Sequence, residues 1–250
     1  MDAVRVARAE KRLGAILSPR PWVLAVFRNG STVAGTDQPD SDVDFTVVVA
    51  HASDRAKALK VLRRGFYRYR GIEHGTLLFR DRRPIDITVV DRPTVERWLR
   101  TLYRSPKSLL RLQNVVQHKI VDAVPVYDPQ RLLIAYQRKA RAYPERIRQA
   151  ILSNTMESLD AALEDWGSRN EFHYAVELPT IVENVAQALY ARNRRLLMFP
   201  FKRLHVDLKS LEPNLEVELY RLIRSGRSAK SRAEGRKVLN TVIRKLRAAT

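Results

Sequence analysis

The feature that most constrains this chain is the segment 30–44, where a Gly-Ser pair and two closely spaced aspartates lie between two short apolar runs. The flanking runs, residues 22–27 and 45–49, are rich in β-branched and aromatic residues and are bounded by Pro, Gly or Asp, which predicts two strands. Because side chains alternate along a strand, Asp42 and Asp44 are expected on one face. Two carboxylates this close repel each other unless a cation lies between them. A hard divalent ion such as Mg²⁺ suits the pair.

A third carboxylate lies on a later predicted strand. Residues 74–79 and 85–90 have the composition of two strands joined by a polar turn. Apolar residues at alternate positions of the second strand leave Asp86 on the opposite face, although Asp is usually depleted in strands. Metal ligation would explain Asp86, and so would protection of a sheet edge against aggregation. The Asp-x-Asp pair, taken alone, is also common in turns and helix caps.

Taken together and in this order, the motifs resemble those of the nucleotidyltransferase superfamily built like the catalytic domain of DNA polymerase beta. That family is characterised by a Gly-Ser turn, an Asp-x-Asp strand and a distant third acid on another strand. The resemblance implies that Gly30 and Ser31 hold a nucleoside triphosphate and that Asp42 and Asp44 bind Mg²⁺. It further implies that Asp86 completes a second metal position or activates the acceptor hydroxyl.

The activity implied by the resemblance is Mg²⁺-dependent transfer of a nucleoside monophosphate, AMP from ATP, to a hydroxyl of a small-molecule acceptor. Pyrophosphate is released. Two metal ions would flank the α-phosphorus, one lowering the pKa of the attacking hydroxyl and the other neutralising the departing pyrophosphate. The three aspartates would then act as one catalytic unit.

The charge of the chain is compatible with more than one acceptor. Its 46 Lys and Arg against 27 Asp and Glu give a formal net charge of +19 and a positive field that attracts triphosphates, nucleic acids or anionic surfaces. The alternatives are therefore a nucleotidyltransferase of toxin type that modifies an RNA end or a protein side chain, and a non-catalytic member that binds nucleotide or nucleic acid. Cysteine is absent, which excludes disulfides and zinc-thiolate sites, and the five histidines show no metal-ligand spacing.

No stretch of the sequence has the length and apolar character of a signal peptide core or a membrane span. We therefore expect a soluble cytoplasmic protein without a membrane partner. No feature of the sequence indicates its oligomeric state.

The fold class predicted is α+β, with two domains. Residues 1–125 are expected to form a nucleotidyltransferase domain with a mixed β-sheet flanked by helices, including helices at 2–17 and 53–65 and a strand near 67–70. Residues 126–250 are expected to form an all-α helical bundle, with a helix break considered at Pro179. The helices predicted there cover residues 129–142, 144–167, 171–193, 200–211, 214–224 and 229–248.

Two segments of the predicted bundle have a functional interpretation. Residues 188–204 resemble the C-terminal domain of antibiotic-type (aminoglycoside and lincosamide) nucleotidyltransferases, which implies that Asn193 and Lys202 contact the nucleotide. The alternative is that these two residues are the C-cap of one helix and a first-turn residue of the next. Residues 224–250 contain nine basic residues and one acid, with apolar residues at helical spacing. This last helix either packs on the bundle or tracks RNA phosphates.

Overall fold

The structure is a computed structural model that describes residues 3–30, 33, 43–65, 69–70, 74–78, 84–166, 171–197, 204–225 and 229–248. The chain divides into two compact units, Met1–Ala142 and Tyr143–Thr250. The first unit contains the sheet and the second is helical, so the predicted α+β class, with a mixed sheet followed by a helical bundle, is confirmed.

The sheet of the first unit has six strands in the part of the chain that the structure describes, in the order β3-β4-β5-β2-β1-β6. β2 and β5 pair in parallel and the other neighbours pair antiparallel, which makes the sheet mixed. The strands are β1 (Val23–Asn29), β2 (Val43–Val49), β3 (Tyr69–Arg70), β4 (His74–Leu78), β5 (Pro84–Asp91) and β6 (Val124–Tyr127).

One face of the sheet is covered by helices α1 (Ala3–Leu17) and α2 (Asp54–Gly65). The alternation of apolar residues along the central strands builds this core, because Val43, Phe45, Ile85 and Ile87 are at most 1% exposed and pack in one cluster with both helices. Burial of each such side chain contributes about 1.5–3 kcal/mol to folding. The residues between them in sequence must therefore face the other side of the sheet.

The remaining helices of the first unit are α3 (Arg92–Leu102), α4 (Pro106–Val116) and α5 (Leu132–Arg141), with a π-helical turn at Gln117–Val121 directly after α4. The N-termini of α3 and α4 have matching signals: Asp91 and Ser105 accept backbone N–H bonds from residues three positions later, and proline occupies the first turn of each helix. The π turn packs against β1 and against α5.

The boundary between the units lies later than the predicted residue 125. That position falls inside β6, which pairs antiparallel with β1 through Val26↔Tyr127, Phe27↔Pro125 and Arg28↔Val124. The four-residue strand contains a proline, which is tolerated here because β6 lies at the edge of the sheet. β6 and α5 therefore belong to the first unit, which extends to Ala142.

Where the structure describes the second unit, it has helices close to the positions that the sequence predicts, although residues 200–203 of the predicted helix 200–211 lie outside the described residues. The helices are α6 (Glu145–Asp165), α7 (Glu171–Arg192), α8 (Leu204–Leu211), α9 (Pro213–Ser225) and α10 (Ala229–Ala248). Pro179 does not end α7, and its exposed position places the ring away from the bundle core. In α10 the apolar stripe is buried, with Leu239 and Val242 fully inaccessible, so this helix packs on its neighbours, and contact of its basic residues with RNA stays a prediction.

Candidate active site

Polar side chains occupy one row across the centre of the sheet. The parallel register of β2 and β5 makes Asp44 the partner of Asp86, and the antiparallel register of β1 and β2 makes Asn29 the partner of Asp44. Neighbouring strands lie about 4.8 Å apart, so the two aspartates are adjacent residues on the same face. Both are partly exposed, whereas the residues on either side of each are buried in the opposite core. The two carboxylates are thus accessible to a ligand.

Gly30 lies directly beneath the Asp44 carboxylate. Its φ of +82° is a conformation that residues with a side chain rarely adopt, and a Cβ at this position would lie 2.0 Å from Asp44 Oδ2. The Val33 N–H donates to the Gly30 carbonyl at 3.2 Å. Glycine is therefore required here by both the backbone and the neighbouring carboxylate, which occupies the space that a Cβ would need.

Asn29 and Thr46 form a buried support beside the carboxylates. Both residues are fully inaccessible, and the Thr46 hydroxyl donates to Asn29 Oδ1 at 3.1 Å. A buried amide held in this way fixes the end of β1, where the chain turns into Gly30. Sequence reasoning did not select Asn29; its only signal was a polar residue at the end of an apolar strand.

His118 is a second residue that the sequence did not indicate. Its Nε2 atom lies 3.9 Å from Asp44 Oδ1, and the π turn delivers it to the site. The imidazole and the carboxylate side chains are 28% and 15% exposed, so both remain accessible. No spacing rule connects His118 with the aspartates, because only the packing of the π turn on the sheet brings them together.

The donor set fits a hard divalent cation in its chemistry. Asp44 and Asp86 supply carboxylate oxygens on adjacent strands, and both residues are partly exposed. Within the described ranges, no three His, Asp or Glu side chains form a metal-binding cluster. Asp42 and Ser31, the other predicted members of the site, and Lys202 lie outside the described residues.

Asn193 has a helix-terminal position. Its side-chain Nδ2 donates to the Leu189 carbonyl at 2.9 Å, at the C-terminal end of α7. The next residue, Arg194, has a left-handed φ of 52°, and the Arg195 N–H closes the turn on the Tyr190 carbonyl at 2.8 Å. These bonds are those of a Schellman C-cap. The structural alternative for Asn193 is therefore observed, and its contact with a nucleotide stays a prediction.

Among the helices that the structure describes, none is long and apolar enough to cross a lipid bilayer.

Searches with protein-family models and against curated proteins found no match. Among solved structures, the chain is similar to a nucleotidyltransferase-like protein from Exiguobacterium sibiricum 255-15 (14% identity, 95% of this chain and 75% of that chain, TM-score 0.47). It is also similar to spectinomycin adenyltransferase AAD(9) from Enterococcus faecialis with ATP and spectinomycin (14% identity, 99% of this chain and 100% of that chain, TM-score 0.37). A third similar structure is that of a toxin-antitoxin with AMP-PNP (20% identity, 59% of this chain and 98% of that chain, TM-score 0.32).

Proposed function

We propose that this chain is a Mg²⁺-dependent nucleotidyltransferase that transfers AMP from ATP to a hydroxyl of a small-molecule acceptor. The observation that supports the proposal most directly is the register of β2 and β5, which pairs Asp44 with Asp86 on an accessible face beside Gly30. Carboxylates side by side in the middle of a sheet are costly unless a cation joins them, and such a cation can also bind phosphate oxygens.

Each residue of the site has a proposed task. Asp44, with Asp42, holds Mg²⁺, and Asp86 either completes a second metal position or takes the proton of the acceptor hydroxyl. The backbone of Gly30, with Ser31, holds the triphosphate. Bound Mg²⁺ would supply charge neutralisation and a lowered pKa of the attacking hydroxyl. The acceptor oxygen forms a bond to the α-phosphorus, the bond to the bridging oxygen of the β-phosphate breaks, and pyrophosphate leaves.

Two residues later in the chain are also proposed to contact the nucleotide. Lys202 is proposed to bind its phosphates, and Asn193 to contact it once the helix-capping bond to Leu189 is exchanged or shared. The net charge of +19 favours association with a triphosphate at low salt.

The same charge supports a second candidate function, nucleotidyl transfer to an RNA end or to a protein side chain. On α10, Arg236, Lys237, Arg244 and Arg247 are exposed on the side away from the buried stripe. Of these, Arg247 is paired with Asp160. Exposed arginines and lysines at helical spacing can contact successive phosphates. A third candidate, nucleotide binding without turnover, is weakened by the intact Asp44 and Asp86.

The acceptor can be identified by transfer of a radioactive label. The protein is incubated with Mg²⁺ and each α-³²P-labelled nucleoside triphosphate, with total tRNA in one series and a panel of aminoglycosides and lincosamides in another. Label on a small molecule with ATP supports the proposal. Label on RNA alone, or on the protein alone, would replace it with the second candidate.

Asp44→Asn is the matched test of the site, because it removes the negative charge and keeps the size of the side chain. We expect transfer to fall by at least about 10²-fold, since the lost charge stabilises the transition state. Asp165→Asn, an exposed position at the end of α6, serves as the control and should retain full activity. Full transfer by Asp44→Asn would refute the site.

A further inference from the structure

The π turn at Gln117–Val121 is held in place by hydrogen bonds from a neighbouring helix. Gln137 of α5 donates through Nε2 to the carbonyls of Ile120, Val121 and Ala123, at 3.1, 3.2 and 3.0 Å. These are carbonyls that a π-helical turn and its end leave without regular helical partners. The side chain of Ile120 is fully buried and anchors the turn from the inside.

A second set of bonds fixes the ends of the turn. Gln117 Nε2 donates to Asp122 Oδ1 at 2.9 Å, and the Asp122 N–H donates to the Gln117 carbonyl at 3.0 Å. π-helical turns are rare and are frequent at functional sites. The residue that this arrangement presents to the sheet is His118, with Nε2 directed at Asp44.

The distance between the two side chains is compatible with one shared ion. Bonds from divalent metals to carboxylate oxygen and to imidazole nitrogen are about 2.0–2.1 Å long. Two atoms bound to one ion can therefore be separated by at most about 4.2 Å. His118 Nε2 and Asp44 Oδ1 are 3.9 Å apart, which meets this limit without a direct hydrogen bond between them.

From this geometry we infer that His118 supplies a nitrogen ligand to the cation held by Asp44, and that it selects the metal. The inference rests on the proposed function and deepens it. Imidazole nitrogen is a poor ligand for Mg²⁺ and a better one for first-row transition metals. A site with this ligand binds Mn²⁺ more tightly than Mg²⁺, by a margin that an all-carboxylate site lacks.

The test is pulsed electron paramagnetic resonance of Mn²⁺ bound to this chain, residues 1–250, with a non-hydrolysable ATP analogue. The expected spectrum shows a ¹⁴N coupling that changes to a ¹⁵N coupling when only histidine is ¹⁵N-labelled. The coupling is lost in His118→Gln and persists in His51→Gln, an exposed histidine in the loop before α2. Absence of the coupling, or its persistence in His118→Gln, overturns the inference.

Calorimetric titration with Mn²⁺ and Mg²⁺ provides a second readout. His118→Gln should weaken Mn²⁺ binding by about 10–100-fold and weaken Mg²⁺ binding less, so the ratio of the two affinities falls. An equal loss for both metals would contradict selection by His118. The unfolding midpoint of the variant is measured alongside, and the spectrum of the unmodified protein decides the matter if the variant is unstable.

Asp44→Asn separates this inference from the proposed function. If Asp44→Asn abolishes Mn²⁺ binding while the unmodified protein shows no nitrogen coupling, the ligand role of His118 fails and the metal site of the proposed function stands. If Asp44→Asn leaves Mn²⁺ binding unchanged, or if no Mn²⁺ binds at all, both proposals fail together.

Discussion

Replacement of Gly30 by alanine tests the relation between the turn and the Asp44 carboxylate. The added Cβ would lie 2.0 Å from Asp44 Oδ2, whereas ordinary contact begins at 3.4 Å, so the two atoms must move apart by the difference between these distances. A displacement of about 1 Å in a positioned group can cost 10²-fold in rate. The left-handed φ of +82° adds about 1–2 kcal/mol of backbone strain for alanine.

Two measurements follow from these magnitudes. In urea titration, the free energy of unfolding of Gly30→Ala should fall by about 1–2 kcal/mol. In thermal unfolding, the same loss lowers the melting temperature by about 2–8 °C, at about 2–4 °C per kcal/mol. In the transfer assay, kcat/KM should fall by about 10²-fold, and Mn²⁺ affinity should fall with it. The loss of rate exceeds what partial unfolding can produce, because the variant remains folded at 25 °C.

Two other glycines provide matched controls. Gly14 in α1 has no atom within 4 Å of an added Cβ, so Gly14→Ala should stabilise the protein by about 0.5–1 kcal/mol. At Gly235 in α10 an added Cβ would meet Ser225 Oγ at 2.3 Å, so Gly235→Ala should lower stability without changing kcat/KM of the folded protein. If Gly30→Ala matched Gly14→Ala in stability and metal affinity, the close approach of Asp44 to Gly30 would be refuted.

Three further changes concern stability. The Tyr136 hydroxyl is buried with no hydrogen-bond partner among the residues the structure describes, so Tyr136→Phe should raise the free energy of unfolding by about 1 kcal/mol at pH 8. Burial raises the pKa of Tyr136 to about 12, so ionisation of this residue in the unfolded state lowers the free energy of unfolding of the wild type between pH 10 and 12. The phenylalanine variant should lack this part of the pH dependence. Arg131 has a left-handed φ of 53° before α5, which is a strained conformation for a residue with a side chain. Arg131→Gly should therefore raise the free energy of unfolding, measured by urea titration, by about 0.5–1 kcal/mol. Hydrogen bonds from Arg148, and secondarily from Gln149, lower the pKa of Glu145 to about 2. The contribution of Glu145 to stability is therefore complete above its ordinary pKa of 4.5 and is lost as the pH falls towards 2. Glu145→Gln should be less stable than the wild type at pH 6, and the two should have similar stability near pH 2.

The parts of the fold with a strong local pattern could be predicted from the sequence. The apolar runs at residues 45–49 and 85–90 predict two strands, which the structure has as β2 and β5, and alternation along them places Asp44 and Asp86 on the face opposite Phe45 and Ile87. A polar residue that interrupts an apolar face needs no knowledge of the fold to be noticed. In the helical unit, Pro and Gly marked most helix ends, although Pro179 lies inside α7 because the apolar periodicity continues through it.

The features that were missed depend on contacts between segments distant in sequence. β6 is short and contains Pro125, so only its pairing with β1 reveals it as a strand, and without it the boundary was placed too early. His118 occupies a π turn whose geometry depends on Gln137 from another helix. Asn29 has its role because Thr46 lies beside it in the folded sheet. None of these relations leaves a periodic signal in the chain.

The position of β6 has a practical consequence for anyone dividing the protein. Because β6 pairs with it, β1 is an interior strand that is hydrogen-bonded to a neighbour on both sides, and the turn at Gly30 follows directly from this strand. A fragment that stopped at residue 125 would lack most of β6 and leave backbone amides and carbonyls of the apolar strand β1 unpaired. Such an exposed edge strand can pair with other chains and cause aggregation. A fragment of the first unit should instead extend through Ala142.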